Sequence, residues 1–311
     1  MNNLKTLFFF MLAILAVSCE NYDRTADSIS TGKLKIGIDE SYSLMMDSQI
    51  EVFEHIYKYA KVSATYTTEG EVFDLLLADS IQGAVVNRAL TEKELEFFHS
   101  KGRYPESVKI ATDAIAFIIN PTNADSNLTV TQVTDIFSGK INSWKGINPA
   151  SKLSEMSIVF DNNKSCNERY VREQIVKNGG LPSNCFAAKS NEAVVDYVST
   201  HEGAMGIISV SWVSDRDDST TKAIMDKVKL VGIIDPANTR RPEMARKPYQ
   251  AYIYDESYPY RREVFYIRTG LKGTLGTGFV SHLAGEKGQL IIHKMGMVTA
   301  TPPTRVIRIT E

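Results

Sequence analysis

The feature that most constrains this chain is its alternation of β-rich runs with stretches of helical periodicity. Lys33–Ile38 (KLKIGI) alternates as a strand does, while Gln49–Ala60 places Ile50, Phe53, Ile56 and Tyr57 at helical spacing. Val62–Tyr66 then reads as a strand, Glu71–Ala78 as a helix and Gly83–Val86 as a short buried strand. Thr91–Lys101 opens on Thr91-Glu92-Lys93-Glu94, the pattern of a reciprocal helix cap. Lys109–Asn120 is a long β-rich run stopped by Pro121. The second half continues in the same style. Helices are expected over Val130–Phe137, Asn167–Lys177, Asn191–Thr200 with Asn191 as N-cap, and Gly278–His293. Strands are expected over Ser157–Phe160, Gly203–Val210, Val228–Ile234 and Arg262–Arg268, and Ser214–Lys222 reads as a charged loop. Alternation of this kind packs as an α/β architecture with a mostly parallel sheet.

With 311 residues, the usual ~150 residues per domain suggests two domains. The chain carries 35 Lys+Arg against 37 Asp+Glu, a net charge of −2. Binding of nucleic acid through a bulk basic surface is therefore not expected. An apolar share of 43% excludes a disordered chain, and three cysteines are too few to build a disulfide scaffold.

The N-terminus reads as an address. Lys5 supplies a positive start and Leu7–Val17 is an uncharged apolar run. That run falls short of the ~20 residues a membrane helix needs but suits a signal peptide. Residues 16–19 (AVSC) resemble the lipobox of bacterial lipoproteins, with Ala16 where Leu is commoner. The resemblance implies a signal peptide over 1–18, lipidation of Cys19 by acyl chains such as palmitate, and anchoring to a membrane at the cell envelope. The alternative is an ordinary secretory signal in which Cys19 is incidental. Residues 19–32 are polar and aperiodic and read as a tether.

Catalytic templates are not met. There is no Walker A, no G-x-S-x-G elbow and no H-E-x-x-H, and residues 273–278 (GTLGTG) do not form a dinucleotide fingerprint. The five histidines are scattered singly, so neither a metal site nor a cofactor is expected and the chain does not read as an enzyme. Ser219-Thr-Thr-Lys222 matches S-x-x-K within a run of exposed charge, where a lysine base would not be desolvated. Cys166 and Cys185 could form a bridge in an oxidising compartment or remain two buried thiols.

Three stretches carry a family resemblance. Residues 129–144 (TVTQVTDIFSGKINSW), 191–208 (NEAVVDYVSTHEGAMGII) and 258–266 (YPYRREVFY) occur in order, followed by 285–289 (GEKGQ) and 295–298 (MGMV). They resemble the corresponding motifs of the periplasmic phosphate-binding proteins of ABC transporters, and the likeness covers nearly all of residues 33–311. The resemblance implies a two-lobed α/β fold of the type II solute-binding class, with a ligand cleft between the lobes. Lobe 1 would comprise 33–115 plus 250–311 and lobe 2 would be 116–249. The hinge would run through the β-rich runs Lys109–Asn120 and Tyr258–Arg268. Hinge closure on a small ligand is an established mode for such folds.

Anions in such clefts are held by helix N-termini, hydroxyls and an Arg fork. Four loops at strand C-terminal ends are candidates, supplying Ser41 and Tyr42, Thr68, Arg88, and Asn163, Ser165, Cys166 and Asn167. The family carries an acid where Arg88 stands and an Arg where Asp161 begins its loop. Arg and acid thus look exchanged between walls: either Asp161 accepts a proton from a bound phosphate, or it points away and leaves an Arg-and-hydroxyl pocket for another anion. The plainer alternatives are an ion pair of Arg88 with Glu92 or Glu94, Ser165 as a helix cap, and Asp161 as a turn residue. The resemblance implies a monomeric, exported, lipid-anchored protein that captures phosphate or a related oxyanion for an ABC permease. The alternative is an envelope lipoprotein that uses the fold as a sensor or partner of another system.

Overall fold

A computed structural model describes residues 26–177, 179–214, 218–239 and 241–301. The signal peptide, Cys19 and the start of the tether lie outside these residues. The elements, in order, are β1 (Thr31–Asp39), α1 (Ser43–Ile56), β2 (Tyr59–Thr67), α2 (Glu69–Leu77), β3 (Gly83–Val86), α3 (Glu92–Ser100), β4 (Glu106–Ile119), β5 (Asn127–Thr129), α4 (Val130–Phe137), α5 (Trp144–Ile147) and β6 (Ser157–Phe160). They continue with α6 (Cys166–Tyr170), β7 (Cys185–Ala187), α7 (Asn191–Thr200), β8 (Ala204–Ser209), α8 (Ser219–Lys227), β9 (Lys229–Leu230), β10 (Gly232–Ile234), β11 (Ala245–Arg246), α9 (Gln250–Tyr254), β12 (Arg261–Arg268), α10 (Leu275–Ala284), α11 (Glu286–Lys294) and β13 (Val298–Thr299).

One sheet runs β2-β1-β3-β12-β4-β8-β6-β7 through the molecule, with helices on its faces. Its two ends are parallel, β1 with β2 and β3, and β6 with β7 and β8. The centre is antiparallel, because β12 and β4 both run against their neighbours. The sheet is therefore mixed rather than mostly parallel. β4 joins the two lobes: its residues 106–114 pair with β12, and its residues 115–119 pair with β8. Where the partner changes, the Tyr258 hydroxyl donates to the Ile115 carbonyl at 2.8 Å and the Ile115 N–H donates to the Tyr260 carbonyl at 2.9 Å. β12 pairs with 106–114 along its length, so the second crossing of the chain precedes it.

Apolar residues explain the joint. Phe117 packs between Phe137 and Tyr260, with ring centroids 5.9 and 5.2 Å away. Gly206 on β8 has no room for a side chain, since a Cβ would lie 2.6 Å from Val194 and 2.9 Å from Ile118 and Val198. This glycine lets α7 seat closely on the sheet, which fixes the helix that faces the cleft.

Several expectations are corrected. The N-cap of α7 is Ser190, whose Oγ accepts from Ala193 N, and Asn191 is the first helical residue. The stretch 214–222 is partly helical: Asp218 caps α8 from Ser219. Residues 228–234 form two strands: the Val231 N–H still bonds Phe117 on β4, but the Gly232 N–H turns to the Ser126 carbonyl and β10 joins a small sheet with β5 and β11. The helix expected over 278–293 is two helices broken at Gly285, whose ψ of 172° is extended. The helix expected over 167–177 is α6 followed by a π-turn over Val171–Ile175. Cys166 and Cys185 are both free thiols, and burial raises the pKa of each, that of Cys185 to about 12.

Candidate functional site

The loop that leaves β1 and the loop that leaves β6 meet between the lobes. Asp39 is the last residue of β1, and its carboxylate accepts the Ser41 N–H at 2.9 Å, tightening the chain into a 3₁₀ turn over Glu40–Tyr42. The turn brings Ser41 against Asp161 and Asn167. Ser165 caps α6 by accepting the Glu168 N–H at 3.2 Å, so Cys166 and Asn167 open that helix facing β1.

The contacts across the gap are direct. Asn167 Nδ2 donates to Ser41 Oγ at 3.1 Å, and Ser41 Oγ donates to Asp161 Oδ2 at 3.3 Å. Ser165 Oγ donates to Asp161 Oδ1 at 2.7 Å. The Cys166 N–H donates to Asp39 Oδ2 at 3.2 Å, and Cys166 Sγ lies 3.1 Å from Asp39 Oδ1. On the next helix, the Asn191 N–H and side-chain amide both donate to Glu40, and Asn191 Nδ2 also reaches Asp161. At the far side Arg169 binds Glu69 and donates to Asn87 Oδ1 at 3.1 Å, while Gly70 N–H donates to the Lys164 carbonyl at 3.3 Å. Asp39, Ser41, Asp161, Ser165, Cys166, Asn167 and Asn191 are all within 1% of complete burial.

Burial of several carboxyls in one place has an electrostatic consequence. Loss of water disfavours the charged form, and neighbouring like charge adds to it. Burial raises the pKa of Asp161 to about 6, with the Asp39 charge as the second cause. Burial likewise raises Glu40 to about 7, against the lowering effect of its hydrogen bonds from Asn191. Asp39 is raised as well, by burial and then by Glu69.

Beneath the cluster lies a buried ion pair. Arg262 Nε donates to Asp113 Oδ2 at 2.8 Å, with side chains 2% and 0% exposed. The Tyr42 hydroxyl and Ser209 Oγ donate to the same carboxylate, at 3.3 and 2.9 Å. Arg262 Nη2 lies 2.8 Å from Asp113 without the alignment of a hydrogen bond, and Nη1 has no partner. Asn167 Oδ1 and Asn191 Oδ1 are also buried without partners. The region around the cleft therefore holds unused donor and acceptor capacity beside its carboxylates.

The structure gathers Ser41, Asp161, Ser165, Cys166 and Asn167 into one network and sets Tyr42 directly below. Thr68 stands at the edge as the N-cap of α2, accepting from Glu71 N at 3.3 Å. Two expected residues lie apart. Arg88 gives both terminal nitrogens to Glu94, at 2.8 Å each, and stacks 3.6 Å over Phe73, the ion-pair alternative. Asn163 is exposed, and among the described residues no hydrogen bond ties it to the network. The arginines that take part are Arg169 and Arg262. Their sequence neighbourhoods carried no anion-binding motif, and only the fold brings them to the cleft. Asp39, Glu40 and Asn191 were missed for the same reason, although Asp39 and Glu40 flank Ser41 in a loop already singled out.

The closed cleft leaves little open volume. A pocket of about 490 Å³ adjoins it, lined by Asn87, Arg88, Arg169, Tyr170, Arg261 and Arg262 among others. The larger pocket, about 580 Å³, lies away from these loops, near the start of α10. Among the described residues no group of His, Cys, Asp and Glu has the arrangement of a metal site, and no helix is long and apolar enough to cross a membrane.

The phosphate-binding protein PstS of Staphylococcus saprophyticus is 22% identical over 282 residues, covering 89% of this chain and 83% of that protein. PstS of Staphylococcus epidermidis is 24% identical over 204 residues, 65% of this chain, and the match spans only 59% of that relative's length. Among solved structures, a putative phosphate ABC transporter substrate-binding protein with bound phosphate from Clostridium perfringens aligns with a TM-score of 0.71 at 20% identity. That alignment covers 87% of this chain and all of the other. An ABC-type phosphate transport receptor from Vibrio cholerae aligns with a TM-score of 0.63 at 19% identity, over 86% of this chain and all of the other. The structural likeness establishes the two-lobed α/β fold, and residues 24–287 match the profile of the PBP superfamily domain, so the chain belongs to that family.

Proposed function

We propose that the protein is a solute-binding protein that captures phosphate or a related small oxyanion between its lobes and delivers it to an ABC-type permease. The reading treats residues 33–115 with 250–311 as one lobe and 116–249 as the other, acting as a monomer. It also takes the protein to be exported and held at the envelope by a lipid on Cys19. One observation carries it: Ser41 from the loop after β1, and Ser165, the Cys166 N–H and Asn167 from the loop after β6, share one buried hydrogen-bond network with Asp39 and Asp161. Hydroxyls, a backbone N–H at a helix start and a side-chain amide are the donor types that suit an oxyanion. The phosphate-binding relatives support the choice of ligand. No catalytic step is required of the cleft, whose residues only donate and accept hydrogen bonds. Calorimetry on the chain from residue 21, which contains every described residue, tests the reading. Phosphate binding with weaker sulfate binding is expected; no heat from either at millimolar concentration rejects it.

The filled state of the cleft favours a second reading, in which the fold serves an envelope system as a sensor or partner without transport. Asp39, Glu40, Asp161 and Glu69 crowd the seats an anion would use. An importer gene neighbourhood would support the first reading, and an envelope-energy or signalling neighbourhood the second.

A further inference from the structure

Asp39 and Glu40 belong to lobe 1, yet their carboxylates end on lobe 2. Asp39 receives the Cys166 N–H at the start of α6, and Glu40 receives the Asn191 N–H at the start of α7. Two consecutive residues of one loop thus occupy the starts of two helices on the opposite wall. Each is a position where an exposed N–H would otherwise meet a bound anion. Both positions carry a second sign of a ligand seat: Asn167 Oδ1 and Asn191 Oδ1 are fully buried and unpartnered beside them, and as acceptors they suit the O–H of a protonated oxyanion rather than its charged oxygens. Arg262 Nη1 is also buried without a partner, and its charge acts on Tyr42 and Cys166 next to the loop.

We propose that the Asp39–Glu40 loop is a resident counter-ligand: it holds the cleft shut when no solute is bound, and an oxyanion enters by displacing its carboxylates. This inference rests on the proposed oxyanion-binding role of the same cleft and adds its regulation. The exchange needs no new chemistry. A carboxylate leaves N–H donors that a solute oxygen then takes, and the lobes separate and close again on the solute.

The counter-ligand carries its own control. Asp39 faces Glu69 from α2, and Asp161 and Cys166 from lobe 2, with Arg262 near Cys166. Glu40 faces Asn191, Asp161 and Asp39. Arg169 is the cation on the far side, engaged with Glu69 and Glu173. Closure brings these carboxyls together and raises their pKa, so the closed form binds more protons than the open one. Closure is therefore favoured at low pH. It weakens as pH rises through the range from about 6 for Asp161 to about 7 for Glu40.

Small-angle scattering of the ligand-free chain between pH 5 and 8 tests this directly. The radius of gyration should increase on going to pH 8 in the wild type. Asp39→Asn/Glu40→Gln, which keeps shape and removes charge, should stay compact throughout. Asp39→Ala/Glu40→Ala should be expanded at every pH and, at fixed pH, should bind inorganic phosphate about tenfold more tightly, the scale of losing one competing charged hydrogen bond. A wild-type radius that does not change with pH, or one that changes equally in the Asn/Gln variant, overturns the proposal. If the radius responds but no variant binds phosphate, the counter-ligand stands and the phosphate reading falls. If phosphate binds with equal affinity to all three and no radius responds, the reverse holds.

Discussion

The N-termini of α3 and α7 are satisfied in opposite ways. At α3 the cap is local: Thr91 Oγ accepts the Glu94 N–H, and Glu94 accepts the Thr91 N–H at 2.7 Å. At α7 the local cap Ser190 is supplemented by Glu40, which accepts the Asn191 N–H from 151 positions away, in the loop that leaves β1. A local cap travels with its helix and is indifferent to what the lobes do. A borrowed cap makes the helix start depend on lobe closure and on the protonation of the lender. The same contrast separates two arginines. Arg88 is engaged by Glu94, six residues on, on lobe 1. Arg262 pairs with Asp113, 149 residues away and out of water.

Removing a long-range partner has the largest expected effect. Arg262→Met leaves Asp113 buried and uncompensated, and the expected loss is about 3–5 kcal/mol of stability, read from the urea midpoint. A loss below about 1 kcal/mol would mean that the pair is structurally idle. Next, titration separates the two regions. A carboxyl whose pKa is raised in the compact state costs nothing at acid pH, and its penalty grows as pH rises through its raised pKa. Thermal stability should therefore fall between about pH 4 and 7, and Asp161→Asn should flatten that fall. A slope unchanged by Asp161→Asn would remove that carboxyl as its source. Thr91→Ala should cost about 1 kcal/mol, with no effect on phosphate affinity or on the pH slope. The smallest effect is expected for Arg88→Ala: stability should change by less than about 1 kcal/mol for this part-exposed pair, and phosphate affinity by nothing measurable. A large loss of affinity would return Arg88 to the binding site.

Much of the fold was legible in the sequence where a signal was local. The strand Gly83–Val86, the helix Val130–Phe137 and the helix span Asn191–Thr200 match the structure, and the Thr91–Glu94 pattern is the observed capping box. Breaks set by tertiary contact were not legible. The chain leaves one sheet for another between Val231, whose N–H bonds Phe117 on β4, and Gly232, whose N–H bonds Ser126, each partner more than a hundred positions earlier. Gly285 divides two helices through an extended backbone that no periodicity announces. The site divides along the same line. Ser41, Ser165 and Asn167 could be found because they stand in loops that follow strands or at the helix start such a loop leads into. Arg169 and Arg262 could not, since a charge in a helix or strand shows its role only once its burial and partner are known.

Residue order by itself determined the alternation of strand and helix, the local caps and the loops that converge on the cleft, because hydrophobic period and side-chain capping act over a few positions. Tertiary structure decided which charges meet. The approach of Asp39 and Glu40 to helices of the other lobe, and the burial that raises their pKa, arise only when β4 carries the chain from one half of the sheet to the other. Electrostatic energy depends on distance and on the water removed, and neither is a property of sequence spacing.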